Sequence, residues 1–543
     1  MWQQVYTPIA GSLGLSALAA ALPLFTLLYL LGVKKKAAWV AGLAGLGAAT
    51  FVALFVYQMP ASQTLSAIAY GAAFGLFPIC WIIFWAIFLY RLSVETGQFE
   101  IIKDSIGGLT PDRRLQALLI AFAFGAFVEG AAGFGAPVAV AAAMLTGLGF
   151  SPFYSAAICL LANTAPVAFG SLGIPVITLA GITGLPLDKL SATVGRICAP
   201  VSVFIPSYLI AVMGGWRALR GVLPATAAAG IAFAGAQFYA SNYLGPELTD
   251  IFGSLAAIAA CIVLTLVWKP KDHFTFEGAA AESKLPPRHS FSAVLLAWSP
   301  YLLLVAVVLT WSRAEFKAVL NSYTVLIDWP GLHNQVLQAP PVAAKVAPYA
   351  ARYALNWLSA SGSACLVACL LSALVLRAPV RVVVLVFRTT CSQLGKPALT
   401  VASVLALAFL MNYSGATATL GLAFAATGAA FPFFSALLGW LGVFLTGSDT
   451  SANALFGNLQ VVTAQSLSLN PILMAASNSS GGVMGKMISL QSIAVAAAAT
   501  GMPQEDESRL FRFTLRHSIF LACVIGCVVL FYAYVMPGWA PRP

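Results

Sequence analysis

Apolar runs of about 20 residues recur along the whole chain, and they limit its fold more than any other feature. Of the 543 residues, 60% are hydrophobic and only 8% are charged. A helix of about 20 residues crosses the hydrocarbon core of a bilayer, which is about 30 Å thick. The sequence therefore predicts an all-α, polytopic membrane protein and excludes a soluble domain.

The net charge of +11 does not indicate nucleic-acid binding, because the basic residues lie in short loops between apolar runs. Such clusters are typical of cytoplasmic loops. They are Lys34, Lys35, Lys36, Arg113, Arg114, Arg217, Arg220, Lys269, Lys271, Arg377, Arg381 and Arg388. The nine cysteines lie mostly within apolar runs, with no neighbouring His or carboxylate to complete a zinc set. We expect no metal or cofactor.

Uninterrupted apolar stretches predict ordinary membrane spans at 10–32, 37–57, 64–91, 189–213, 221–242, 246–268, 291–312, 352–377, 471–500 and 510–536. Short amphipathic pieces are predicted at 97–107 and 379–394. Two polar loops, 269–290 and 313–350, contain proline pairs and do not resemble separate domains.

Glycine and hydroxyl residues interrupt the remaining apolar segments, and such runs break helices at membrane depth. The pattern predicts re-entrant hairpins at 114–128 with 136–148 and at 397–412 with 416–428. It predicts discontinuous helices at 152–162 with 174–184 and at 432–446 with 453–464. Broken helices inside a membrane usually line a solute site.

The order of these features indicates an internal duplication, with a first membrane repeat at 1–215, linking spans and a polar loop at 216–290, and a second repeat at 291–543. The preferred register pairs the two predicted hairpins. A second register pairs Asn163-Thr164 with Asn478-Ser479, and Thr183-Gly-Leu-Pro186 with Thr500-Gly-Met-Pro503. Counting spans places both hairpins on the cytoplasmic side, whereas an inverted repeat needs them on opposite sides, so one crossing is miscounted.

Two acidic residues lie at breaks inside apolar segments, Glu129 and Asp449, whereas nearly all the other 15 are expected in loops. A charge at mid-membrane costs about 2.5–3.5 kcal/mol on insertion scales, so it normally faces protein or water. Each carboxylate could cap the exposed amides of a half-helix. The functional interpretation is a proton carrier, since burial disfavours the charged form.

Candidate substrate ligands are the cations Lys486 and Arg196, which could hold a carboxylate or instead pair with Glu129 or Asp449. Neutral donors cluster at the breaks, where half-helix amides also suit an anion. The neutral candidates are Asn163, Thr164, Ser171, Ser414, Thr417, Thr450, Ser451, Asn453, Asn478 and Ser479.

Five motifs resemble the bacterial L-lactate permease family, which includes glycolate permeases. They are Phe127-Val-Glu-Gly-Ala-Ala-Gly-Phe-Gly-Ala-Pro137, Ala162-Asn-Thr-Ala-Pro166, Asn412-Tyr-Ser-Gly-Ala416, Phe444-Leu-Thr-Gly-Ser-Asp-Thr-Ser-Ala-Asn453 and Asn478-Ser-Ser-Gly-Gly-Val-Met-Gly-Lys-Met487. The resemblance covers nearly the whole chain. It implies a multi-pass protein of the bacterial inner membrane that imports L-lactate, D-lactate or glycolate with a proton. The two-hairpin plan is similar to elevator-type ion transporters.

Three alternative functions compete with a proton-coupled importer. A sodium-coupled carboxylate carrier could use the same oxygen-rich breaks, and an anion channel would need a continuous polar pathway. A membrane-embedded enzyme lacks support, since the sequence has no metal set, paired nucleophile or cofactor motif. The expected partners are the small-molecule substrate, protons and lipid, without nucleic acid, and a homo-oligomer is compatible with the sequence.

Overall fold

The structure is a computed structural model that describes residues 1–133, 135–270, 274, 287–343 and 345–541. Within them, ten helices are long and apolar enough to cross a membrane, or twelve if each of two bent pairs is one span. The protein is therefore a multi-pass membrane protein. Phe134 of the first motif and most of the predicted loop 269–290, with Lys271, lie outside the described residues.

The helical segments run over Leu13–Gly32, Ala38–Phe51, Val52–Val56, Ala61–Phe74, Gly75–Cys80, Trp81–Glu95, Gln98–Gly107, Arg113–Ala117, Leu118–Phe124, Gly125–Ala131, Ala136–Gly147, Pro152–Ala162, Val167–Phe169, Gly170–Thr183, Leu187–Tyr243, Thr249–Val267, Phe291–Ser312, Ala314–Asn321, Ser361–Val375, Val380–Ser414, Ala416–Phe424, Ala425–Ala430, Phe431–Thr446, Asp449–Ser466, Pro471–Gly485, Lys486–Ile488, Leu490–Thr500 and Gln504–Tyr534. Within Leu187–Tyr243 the backbone leaves the helical region at Gly215, where φ is 70°. This break separates the two spans predicted at 189–213 and 221–242.

Five short strands correct the all-α prediction, and four of them lie within 313–355. Trp2–Gln3 pairs in parallel with Val336–Gln338, which pairs antiparallel with Ala347–Tyr349. Val325–Asp328 pairs antiparallel with Arg352–Leu355, with Val325 opposite Leu355. The long polar segment is thus tied to the N-terminus, and we call this side of the molecule the N-terminal face.

One helix, Val380–Ser414, replaces two predicted elements, the amphipathic piece 379–394 and the first arm of a hairpin at 397–412. It packs closely on Ala61–Phe74, because a Cβ at Gly71 would lie 2.6 Å from the Leu405 carbonyl oxygen. The turn at Gly415 leads to the short helix Ala416–Phe424, where Thr419 Oγ1 donates to the Tyr6 carbonyl at 2.9 Å. This segment therefore lies at the N-terminal face, and the hairpin predicted at 397–428 is wrong.

Two helical hairpins do exist in the structure. Hairpin A consists of Arg113–Ala131 and Ala136–Gly147, close to the prediction. Hairpin B consists of Phe431–Thr446 and Asp449–Ser466, which were predicted as a discontinuous helix. The arms of each hairpin pack against each other across a short turn.

A bent helix follows each hairpin. Broken helix A joins Pro152–Ala162 to Val167–Thr183 at 64°, as predicted. Broken helix B joins Pro471–Ile488 to Leu490–Thr500 at 43°, where a single span was predicted. The second halves end alike, because Gly184 and Gly501 adopt left-handed φ values of 70° and 66° after Thr183 and Thr500. The order of elements thus follows the second sequence register.

The hairpins begin on opposite faces. The start of hairpin A lies beside the basic loop around Arg217, where the Arg114 guanidinium donates to the Ala218 carbonyl at 3.4 Å. The turn of hairpin B lines a cavity with Lys35 and Lys36. We call the side that carries these lysines and Arg217 the basic face, and the turn of hairpin B points toward it. The first arm of hairpin B begins near the segment that Tyr6 contacts at the N-terminal face.

Close packing of hairpin B on broken helix B generates a test of the fold. A Cβ at Gly439 would overlap the Asn478 carbonyl oxygen, and one at Gly481 would overlap the Ala436 carbonyl oxygen. Backbone atoms cannot rotate away, so Gly439→Ala should lower the free energy of unfolding by more than about 1–3 kcal/mol, the usual cost of overpacking. Thermal unfolding of the purified protein in detergent measures this loss of stability. Gly47 is the control, because an added Cβ there would lie more than 4 Å from every described atom outside its own helix, and an equal effect of Gly47→Ala would contradict the packing.

Candidate functional site

A cavity of about 360 Å³ lies where hairpin B, the broken helices and two flanking helices meet. It is lined by six of the predicted site residues together with apolar and further polar side chains. The predicted residues are Glu129, Ser171, Asp449, Thr450, Ser451 and Lys486. The flanking helices contribute Trp39 from one side and Lys396, Pro397, Thr400 and Val401 from the other.

The turn of hairpin B forms one wall of the cavity. Gly447 adopts a φ of 72°, which ends the first arm, and Ser448 caps the second arm by accepting from the Ser451 amide at 3.2 Å. Asp449 therefore occupies the first turn of a helix. Lys486, at the bend of broken helix B, donates from Nζ to the Gly447 carbonyl at 2.6 Å.

A buried polar network orients Asp449. Its Oδ2 accepts from Ser479 Oγ at 2.6 Å and from Asn453 Nδ2 at 3.4 Å. Asn478 Nδ2 donates to Asn453 Oδ1 at 2.9 Å, and Gln460 Nε2 donates to Asn478 Oδ1 at 3.1 Å. Asn453, Asn478 and Ser479 thus support the carboxylate from behind the cavity wall. Sequence reasoning missed Gln460, which lies seven residues after Asn453 on the same helix.

Glu129 enters the cavity from hairpin A. Its carboxylate lies against Gly170, where an added Cβ would be 2.5 Å from Glu129 Oε1. Glu129 Oε2 has no hydrogen-bond partner within the described part of the chain. Asn163 lies beside Glu129 and interacts with it, although neither polar atom of its side chain reaches full hydrogen-bond geometry with a described residue. The helices Ala136–Gly147 and Gly170–Thr183 begin without a side-chain cap, so Glu129 caps neither of them.

The bend of broken helix A is left-handed over three residues, with φ values of 48° at Ser171, 60° at Leu172 and 75° at Gly173. Left-handed Ser and Leu residues are strained, and such strain concentrates at functional sites. Ser171 Oγ donates to the Ala132 carbonyl of hairpin A at 3.0 Å. Each hairpin turn therefore accepts a hydrogen bond from the bend of the broken helix that follows it.

Lys486 remains available to an anion. Among the described residues, no carboxylate oxygen lies within 4 Å of its Nζ, so Lys486 is in no ion pair there. It nevertheless interacts electrostatically with both Glu129 and Asp449. The structure thus brings two carboxylates and two cations, Lys486 and the exposed Lys396, to one cavity.

Four predicted residues lie away from this cavity. Thr164 Oγ1 donates to its own backbone at Leu161, at 2.8 Å. Arg196 donates to Asn242 Oδ1 at 2.8 Å and stacks on the Trp539 ring at 5.5 Å. The remaining two, Ser414 and Thr417, are buried at the N-terminal face.

A second cavity of about 730 Å³ adjoins the first, since both are lined by Ala37, Ala38, Thr446, Gly447 and Gln491. We call this second cavity the vestibule. Its lining contains three cations, Lys35, Lys36 and Arg512, and one acidic residue, Glu507. Its positive potential would raise the local concentration of small anions.

Comparison with known proteins identifies the family. The family model for L-lactate permease matches residues 16–536. The chain belongs to the L-lactate permease family. It is 47% identical to the L-lactate permease of Bacillus subtilis strain 168 and 46% identical to the glycolate permease GlcA of Escherichia coli K12, each over 99% of both chains. These relatives are permeases, and the protein is a transporter rather than an enzyme.

Two solved transporter structures align more distantly. The YdaH transporter of Alcanivorax borkumensis is 14% identical, covers 88% of this chain and 89% of its own, and has a TM-score of 0.45. MtrF of Neisseria gonorrhoeae is 13% identical, covers 94% and 97%, and has a TM-score of 0.48.

The turn of hairpin A generates a test of the site. Gly133 adopts a φ of 58°, and its added Cβ would overlap Ser171 Oγ. Gly133→Ala should therefore displace the bend at Ser171 and lower the rate of L-lactate uptake by at least about tenfold, which corresponds to about 1.4 kcal/mol of activation free energy. Uptake of labelled L-lactate by proteoliposomes would measure this loss.

Gly184→Ala is the matched control, because Gly184 has a similar φ of 70° but an added Cβ there would have no neighbouring atom within 4 Å among the described residues. Both variants carry the same left-handed strain of about 1 kcal/mol. Equal uptake by the two variants would show that contact with the bend at Ser171 does not matter.

Proposed function

We propose that the protein is a secondary active transporter that imports L-lactate and related small 2-hydroxymonocarboxylates, including D-lactate and glycolate, together with a proton. The observation that carries the proposal is that Lys486 and two buried carboxylates, Glu129 and Asp449, line a single cavity and interact electrostatically. The printed names of the relatives, lactate and glycolate permeases, support the choice of cargo.

Charge balance supports proton coupling. With Glu129 and Asp449 ionised and Lys486 and Lys396 protonated, the four charged side chains that line the cavity sum to zero. Protonation of one carboxylate gives the set a net charge of +1, which attracts a substrate anion to the site beside Lys486. Bound proton and bound anion thus favour each other.

The cavity lining suggests a binding mode. The substrate carboxylate would lie between Lys486 and the amides at the first turn of Asp449–Ser466, where the helix dipole is positive. The hydroxyls of Thr450 and Ser451 lie on the same wall and could meet the 2-hydroxyl group. The opposite wall offers apolar side chains to the methyl group of lactate.

The order hairpin, broken helix and long helix occurs twice, and the two hairpins begin on opposite faces. We infer two inverted repeats, the usual construction of secondary carriers. The basic face would be cytoplasmic in the bacterial inner membrane. Because the cavity separates hairpin B from the helices that carry Trp39 and Thr400, we infer that the hairpins and broken helices slide as an elevator against them.

Uptake of labelled L-lactate by proteoliposomes, with pH, sodium and voltage controlled separately, tests the proposal. A lactate anion that enters alone against an inside-negative potential costs about 2.3 kcal/mol per 100 mV, and one proton removes that cost. We expect an inward proton gradient to drive accumulation without sodium. Accumulation that requires sodium would support the sodium-coupled alternative, and flux that never exceeds equilibrium would indicate a channel.

The carboxylates generate the first prediction for coupling. Glu129→Gln and Asp449→Asn keep the side-chain shape but cannot release a proton. We expect at least one of them to lose accumulation driven by a pH gradient by a factor of about 10²–10⁴, the usual contribution of a proton-transfer group. Counterflow exchange should persist, since it needs no net proton movement.

Glu100→Gln is the control, because Glu100 is exposed on the amphipathic helix and pairs with Lys103 at 2.7 Å. It should accumulate lactate like the parent. Parent-like accumulation by both cavity variants at every pH would exclude Glu129 and Asp449 as proton carriers.

Lys486 generates a prediction for affinity. Lys486→Gln should raise the KM for L-lactate at least about tenfold, since it removes about 1.4 kcal/mol or more of attraction. Arg196→Gln should leave the KM unchanged, because the guanidinium contacts Asn242 and Trp539 outside the cavity. The reverse pattern would place the substrate carboxylate at Arg196, and an unchanged KM in both variants would leave Lys396 and backbone amides as its ligands.

A further inference from the structure

A third buried carboxylate, Asp250, lies in the first turn of the helix Thr249–Val267. The predicted span 246–268 contains Asp250, but sequence reasoning did not single it out as a buried carboxylate. In the structure it is only 1% exposed. It also packs against hairpin A, since a Cβ at Gly130 would lie 2.8 Å from Asp250 Cβ.

Asp250 does not cap its helix. The cap residue is Leu248, with no side-chain hydrogen bond, and neither oxygen of Asp250 has a hydrogen-bond partner within the described part of the chain. Asp449 is the useful comparison, because Ser479 and Asn453 donate to its Oδ2. A buried ionised carboxylate without donors is very costly, so this site suits the neutral acid.

Within the described part of the chain, Asp250 has one acidic neighbour and is in no ion pair. Glu129 acts on it electrostatically from hairpin A, and the Cys198 thiol of the helix Leu187–Tyr243 interacts with it electrostatically. The other two elements packed against its helix, Leu118–Phe124 and Gly170–Thr183, contain no charged residue. The cation two residues before Cys198, Arg196, is directed to Asn242 and Trp539.

We propose that Asp250 and Glu129 together hold one proton and that Asp250 exchanges it between the N-terminal face and the cavity. Asp250 follows the loop 244–248, where Glu247 accepts from Ser361 Oγ at 2.9 Å close to the strand Arg352–Leu355 of the N-terminal face. Glu129 instead lines the cavity that joins the basic vestibule. The proton leaves the carboxylic acid of one residue and binds the carboxylate of the other, so no other reactant is needed. This inference rests on the proposed proton symport and assigns it a second carrier.

Asp250→Asn in proteoliposomes tests the proposal, with Asp188→Asn as the matched control. Asp188 is also an aspartate in the first turn of a helix, but it is exposed. We expect Asp250→Asn to lose pH-driven accumulation of L-lactate at least about tenfold, with counterflow exchange within about twofold of the parent. Asp188→Asn should match the parent in both assays.

The outcomes separate this proposal from the proposed function. If the parent accumulates lactate with protons and Asp250→Asn does so equally, the proposal for Asp250 is wrong and symport stands. If the parent accumulates lactate with sodium alone, proton symport is wrong, and Asp250 loses its role as a second carrier.

Infrared spectroscopy of the purified protein gives a readout that does not depend on transport. A neutral carboxylic acid has a carbonyl band that an ionised carboxylate lacks. We expect a band in the parent that is absent from Asp250→Asn. In Glu129→Gln, which keeps the side-chain shape but removes the acid beside Asp250, this band should disappear at a lower pH, because the neighbouring negative charge is gone. A band that titrates identically in Glu129→Gln and the parent would overturn the shared proton, even if Asp250→Asn fails to fold.

Discussion

Broken backbone inside an apolar protein must find hydrogen-bond partners, and the rest of this structure depends on how that need is met. Each hairpin turn supplies an acceptor to the broken helix that follows it. Ser171 Oγ donates to the Ala132 carbonyl, and Lys486 Nζ donates to the Gly447 carbonyl. These bonds join turn to bend in both halves, and they hold Ser171 and Lys486 at the cavity wall. The same contacts therefore stabilise the breaks and position the groups that meet a substrate.

The hydrogen bond from Lys486 to a backbone carbonyl leaves the positive charge of its side chain without a close counter-ion among the described residues. Its Nζ is held by a neutral carbonyl rather than by a carboxylate, so its positive charge is not cancelled by a close ion pair. Removing one partner of a buried ion pair is strongly destabilising, which would oppose a cycle in which carboxylates change protonation. A lysine anchored by backbone can keep its position while Glu129 or Asp449 gains and loses a proton.

Much of the architecture could be predicted from the sequence, because membrane spans depend on local apolar length. The span 291–312 matches the helix Phe291–Ser312, and the glycine run after Glu129 does form a hairpin turn. The second hairpin was misplaced because the polar run 412–419 resembles a break. In the structure this run lies against Tyr6 and Gln4, so its polar groups meet the N-terminal segment instead of a cavity. Pairings between distant segments of this kind leave no periodic signal.

In the candidate site, too, some residues could be predicted from their neighbours in sequence, whereas others depend on the tertiary fold. Glu129, Asp449 and Lys486 each stand out within an apolar run, so their burial could be predicted from their neighbours in sequence. Asp250 has polar neighbours in sequence and looks like a helix cap. Its burial arises because hairpin A presents Gly130 to it, a residue with no side chain to keep the two segments apart. A glycine beside Glu129 thus determines that two carboxylates face each other, and this pairing follows from the tertiary fold rather than from the residues around either acid.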